Sequence, residues 1–112
     1  MELAIQQCGE AKIVRPEAAR IDAAVAIEFK DLMRPVCAEA DGRILLDLSE
    51  VQFIDSSGLG AVVAVMKMLE PPATLELVTL NPTVDMVFRL TRMDSVFRIH
   101  ATLDAALAQD AA

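Results

Sequence analysis

The residues best equipped to do chemistry in this chain sit together as Asp55-Ser56-Ser57-Gly58, with Gly60 just beyond. Two hydroxyls beside a carboxylate, followed by glycines, fit three kinds of turn. The first is a plain helix start, where Asp and Ser accept from free amides and Gly lets the backbone bend sharply. The second is a serine nucleophile on a strand-to-helix elbow, which needs Gly-x-Ser-x-Gly. Ile54 stands where the first of those glycines belongs relative to Ser56, and the one histidine, His100, falls on a segment that reads as an edge strand. Serine hydrolysis is therefore the weakest alternative. The third is a phosphate-binding turn, since Gly58-x-Gly60 follows a strand and opens a helix. Its third glycine position holds Val63, no acidic residue closes the next strand, and there is no Gly-Lys-Ser/Thr sequence. No cofactor is expected. One histidine and two cysteines without a Cys-x-x-Cys pair argue against a metal site, and Cys8 and Cys37 read as small buried hydrophobes.

The helix after this turn is unusually apolar. Between Gly58 and Leu69 only Lys67 is charged, whereas a helix laid against a sheet normally keeps a polar face. Either both faces are covered, or one is an apolar patch for a partner. In a chain this small the partner reading is the expectation, with Leu59, Val62 and Met66 as the contact patch.

The elements that must position the turn follow from periodicity. Leu3, Ile5 and Gln7 begin an alternating segment, and Ala11 to Arg15 forms a second, giving a strand pair around Gly9-Glu10. Pro16 to Arg20 is a connecting loop. Asp22 is placed to cap a helix carrying Val25, Phe29, Leu32, Met33 and Val36 at helical spacing, with Pro35 expected to kink or shorten it. Arg43 to Leu48 suits a buried central strand, a helix runs from about Ser57 to Leu69, and Thr74 to Thr79 is another strand. Asn81-Pro82 starts a helix reaching Arg92, Val96 to Ile99 reads as a short edge strand, and Thr102 caps a last helix. Alternation of strand and helix after residue 43 implies parallel strands with crossovers. Partners of such sheets meet the carboxyl ends of the strands, which is where Asp55 to Gly58 falls. The fold class expected is α/β, with a mixed, mostly parallel sheet of about four to five strands and about four helices.

Composition bounds the rest. A length of 112 residues and a hydrophobic fraction of 54% suit a single domain, 1–112, that folds without disulfides. A net charge of −7 disfavours nucleic acid and anionic membrane surfaces as partners. The N-terminus has no basic start or long apolar run, and the uncharged stretch Ser56 to Met66 falls short of the roughly 18–20 residues a membrane span needs. A cytoplasmic protein with no direct membrane insertion is expected.

The stretch from Ile44 to Gly60, Ile-Leu-Leu-Asp-Leu-Ser-Glu-Val-Gln-Phe-Ile-Asp-Ser-Ser-Gly-Leu-Gly, resembles the signature of STAS domains, and more narrowly of anti-sigma factor antagonists. Arg20 to Ala24, Leu90 to Phe97 and Leu103 to Leu107 resemble that family's loop into its first helix, its segment before the last strand and its closing helix. The resemblance implies a non-enzymatic switch. Ser56 would be the phosphoacceptor, with Asp55, Ser57, Gly58 and Asp22 supporting the turn. The implied partners are an anti-sigma factor that is also a serine-protein kinase of the ATP-binding, histidine-kinase-like type, and a PP2C-type phosphatase. The unphosphorylated form would bind the kinase and free the sigma factor. STAS-like chains also serve as constitutive adaptor subunits of membrane transport complexes, which stands as the alternative.

Overall fold

The computed structural model describes residues 1–109. Strands β1 (Leu3–Cys8) and β2 (Ala11–Pro16) form an antiparallel hairpin, turned at Gly9, whose φ of +61° suits glycine. The chain continues through β3 (Arg20–Ile21), α1 (Ala26–Ala38), β4 (Arg43–Asp47), β5 (Phe53–Ile54), α2 (Ser56–Lys67) and β6 (Thr74–Val78). It ends in α3 (Pro82–Leu90), a 3-10 turn at Met93–Ser95, β7 (Ile99–His100) and α4 (Leu103–Ala108).

Five strands make one sheet in the order β1-β2-β4-β6-β7, parallel except for β1. The expected mixed, mostly parallel sheet and about four helices are what the described residues form. A second, two-stranded parallel sheet joins β3 to β5, pairing Ile21 with Ile54. Such short strands carry no alternation for a sequence pattern to reveal.

Strand alternation splits the core. Ile44, Leu46 and Leu77 face Phe29, Met33, Val62, Val65 and Phe88 from α1, α2 and α3. Leu45 and Val78 face the other way, with Ala11, Ile13 and Ala106, under α4. Phe88 and Phe97 close one end of the larger core edge to face, with ring centres 5.9 Å apart.

Three local expectations change. Helix α1 starts at Ala26, not at Asp22, because Asp22 makes a turn of its own: its Oδ1 accepts from the Ala24 amide, while its carbonyl accepts from Val25 and Ala26. The helix also continues through Pro35 to Ala38, since Pro35 lies on its exposed side. The last strand forms later than expected, at Ile99–His100, because Met93–Ser95 takes a 3-10 turn after the left-handed Arg92.

The α4 side of the sheet holds the one strongly charged cluster among the described buried residues. Arg43 donates to both oxygens of Glu76, at 2.8 and 2.7 Å, and to the Ala106 carbonyl at 3.0 Å. His100 Nε2 lies 2.7 Å from Glu76 Oε1. Burial pushes the Glu76 carboxyl up, but the hydrogen bonds and charges of Arg43 and His100 outweigh it and bring it down to about 2.

Candidate functional site

Asp55 organises the turn. It holds extended backbone before α2, and its Oδ1 accepts from the Gly58 amide at 2.8 Å. Its Oδ2 accepts from the Ala23 amide at 3.3 Å, so one carboxylate fastens the start of α2 to the loop after β3. On the other side of that loop, the backbone carbonyl of Ala19 accepts from Gln52 and Phe53. The two crossings β3–α1 and β5–α2 are thereby sewn into one surface at the carboxyl ends of β3 and β5.

Ser56 occupies the first helical position and Ser57 the second, and both side chains are exposed. With the Gly58 amide taken by Asp55, the Ser56 and Ser57 amides are the first-turn donors left without an intrahelical acceptor. The positive end of the helix dipole meets solvent at the Ser56 hydroxyl. The site can therefore offer a hydroxyl to an incoming reagent and tolerate an anion afterwards.

Gly58 is fixed by close approach. A Cβ there would stand 1.9 Å from the Ile21 carbonyl oxygen and 2.8 Å from an Ile54 side-chain carbon. Alanine in a helix interior normally gains about 1 kcal/mol over glycine. Here Gly58→Ala is expected to lose at least about 2 kcal/mol through the backbone clash, read as a lower urea midpoint. A variant as stable as wild type would show that the end of β3 does not pack this closely. Asp55→Ala removes a cap and the link between two loops, and is expected to lower stability by about 1–2 kcal/mol in the same assay. Asp55→Asn, which keeps one acceptor oxygen, should recover part of the loss.

Asp22 is half-buried at the edge of this surface and pairs with Arg20 Nε at 3.2 Å. The Arg20 guanidinium also lies 4.5 Å from the centre of the Phe53 ring, which is 37% exposed. Neither Arg20 nor Phe53 stood out in the sequence, because the two-residue strands that bring them together carry no pattern. Asn81 stands at the N-cap position of α3, but its side chain makes no cap bond. Its amide instead donates to the Ser49 and Val51 carbonyls at 3.1 and 2.7 Å, holding the loop that leads into β5.

The apolar patch needs correction. Val62 is 0% exposed and belongs to the core, so it cannot meet a partner in the folded state. Leu59 and Met66 are half-buried and pack against that core. The missing polar face of α2 has a structural cause: α1 lies along it, and Cys37 Sγ approaches the Val65 carbonyl at 3.8 Å. What remains open beside Ser56 is Gly60, with Leu59 partly so. The hydrolase reading also loses its base. His100 is 4% exposed, and its Nε2, the nitrogen that would serve a serine, is engaged by Glu76.

A STAS domain family model matches residues 2–106. The chain belongs to the STAS domain family. Among curated relatives, this STAS domain is 36% identical over 66 residues to a Thermotoga neapolitana protein provisionally named an anti-sigma factor antagonist. That match spans 58% of this chain and 58% of the relative. Its fold superposes on the crystal structure of an anti-sigma factor antagonist from Mycobacterium paratuberculosis with a TM-score of 0.87 and 25% identity, over 96% of this chain and 92% of that one. It also matches a murine solute carrier family 26 anion transporter, with a TM-score of 0.79, 19% identity and coverage of 96% of this chain and 19% of the transporter. The last likeness shows the fold alone. The curated relatives carry the name of anti-sigma factor antagonists, and among the described residues no helix is long and apolar enough to cross a membrane.

Proposed function

We propose that this STAS domain is an anti-sigma factor antagonist switched by phosphorylation at Ser56. The observation that carries this reading is an exposed hydroxyl at the first position of a twelve-residue helix, on a turn braced by Asp55, in a chain whose curated relatives are named for that role. The unphosphorylated form binds a cytoplasmic anti-sigma factor that is also a serine kinase with an ATP-binding, histidine-kinase-like domain. Phosphorylation releases it, and a PP2C-type phosphatase restores binding. Ser56 is the acceptor. Asp55, Ser57, Gly58 and Asp22 shape the turn, while Leu59 contributes to the contact.

The physics supports a switch without refolding. A phosphoserine adds about −1.5 to −2 charge. At the start of α2 that charge meets open amides and the dipole, a contribution of about 0.3–1 kcal/mol in favour of the folded form. At an interface it must be desolvated beside the Asp55 carboxylate, on a chain of net charge −7. The penalty therefore falls on the complex.

The test is a pulldown from source cells with wild type and Ser56→Glu as paired baits. Retention of a kinase-type ATPase by wild type and its loss by Ser56→Glu, together with phosphoserine mapped to Ser56, is the expected result. If both baits hold the same transporter subunits, the domain is a constitutive adaptor and Ser56 is only part of a helix cap.

A further inference from the structure

We infer that β1 is a pairing edge through which two copies of this chain join their sheets antiparallel across a two-fold axis at Ile5. This interface is separate from the Ser56 turn and does not rest on the switch reading.

The phase of the β1–β2 ladder decides which backbone groups are free. The Glu17 amide donates to the Glu2 carbonyl at 2.8 Å, and Ala4 lies opposite Arg15, Gln6 opposite Ile13 and Cys8 opposite Ala11. In an antiparallel pair the bonded positions alternate. Ala4, Gln6 and Cys8 therefore bond to β2, whereas the N–H and C=O groups of Leu3, Ile5 and Gln7 point outward from the edge of the sheet. The outward set is centred on Ile5. A second β1 laid antiparallel with Ile5 against its copy places Leu3 opposite Gln7 in both directions, completing about six main-chain hydrogen bonds with none left over. An odd-centred, uncharged strand is complementary to itself in this way.

Edge strands usually carry a charge, a proline or a bulge that prevents such pairing. Leu-Ala-Ile-Gln-Gln-Cys carries none of them. Ile5 is 51% exposed and borders a groove of about 500 Å³ whose lining mixes apolar Met1, Leu3 and Leu32 with the charged Glu2, Lys12 and Glu39. On the two-fold axis each Ile5 would cover its copy and the mouth of that groove. Charge selects the same place. Two molecules of net charge −7 repel, and the uncharged β1 is a segment where they can approach closely. The opposite edge, β7, offers only Ile99–His100.

The test is sedimentation velocity across a concentration series. Wild type is expected to show a reversible monomer–dimer equilibrium. Ile5→Lys, which sets two ammonium groups opposite each other, should raise the dimer dissociation constant at least about 30-fold. Ile5→Pro removes an outward amide without touching the β2 ladder and should do the same. Folding of each variant is checked by circular dichroism. A second readout uses Ile5→Cys in a Cys8→Ser background. Antiparallel bonded pairs hold Cα atoms about 5.5 Å apart, within disulfide range, so mild oxidation should cross-link position 5 to its copy and fail when the cysteine is at Gln6. A monomer at all concentrations, a dimer that survives Ile5→Lys, or cross-linking that is equal at positions 5 and 6 would each overturn the inference.

Discussion

Ser56→Glu is expected to leave the chain folded and to weaken its binding to the proposed anti-sigma partner about 100-fold, the equivalent of roughly 3 kcal/mol. The far-ultraviolet circular dichroism spectrum should be unchanged, and the melting temperature should stay level or rise slightly. Both halves follow from the position of the residue. An acidic group in the first turn of a helix is favoured by the dipole, and the Ser56 side chain is exposed, so no packing is lost. In the complex the same charge lies beside Asp55, whose two oxygens are committed to the Gly58 and Ala23 amides and cannot turn away. Ser56→Ala should bind as tightly as wild type and never be released, and Ser57→Ala should still be phosphorylated. Calorimetric titration against the purified partner separates these variants. An unfolded Ser56→Glu, or one that binds as wild type does, would refute the account.

The second large effect lies on the opposite face of the sheet. Glu76→Ala is expected to destabilise the chain by about 3–5 kcal/mol in urea unfolding, because it leaves the Arg43 guanidinium in a site built for a carboxylate. The damage should spread to α4, since the same Arg43 holds the Ala106 carbonyl. The carboxyl also sets a pH dependence. Its folded value of about 2 lies below the ordinary 4.5, so the unfolded chain takes up the proton first. The stabilisation is complete above about pH 4.5 and disappears as the pH falls towards 2. Wild type should therefore lose stability through that window. Glu76→Gln, already weakened at neutral pH, should show a shallower loss. Parallel slopes for the two proteins would remove Glu76 from the acid response.

The sequence was most legible where patterns are long. Ile44-Leu45-Leu46 announced a strand buried on both faces, and Asn81-Pro82 announced a helix start. The Asp55 turn was legible because capping chemistry is local. Three things were not. The covering of α2 by α1 is a tertiary fact, and an apolar helix face looks the same whether a partner or a neighbouring helix meets it; that is why Val62 was misplaced. Asp22 has the composition of a helix cap, but the chain needs further residues to pass from β3 onto α1, so the carboxylate caps a turn instead. Glu76 sits in a strand whose neighbours are apolar, and its partners, Arg43 and His100, are 33 and 24 residues away.

The double grip of Asp55 has a consequence for what a modifying enzyme can see. One carboxylate joins segments 32 residues apart, and Gly58 nests against the Ile21 carbonyl at the end of β3, just before that distant loop. A peptide copied from residues 53–60 would contain the serine but neither the Ala23 amide nor the surface that β3 supplies. A kinase that reads the assembled turn, as proposed above, would therefore respond only to chains that have completed their fold. Under the switch proposed above, nascent, misfolded or proteolysed copies would stay silent, and the signal would count native molecules, not the total protein made.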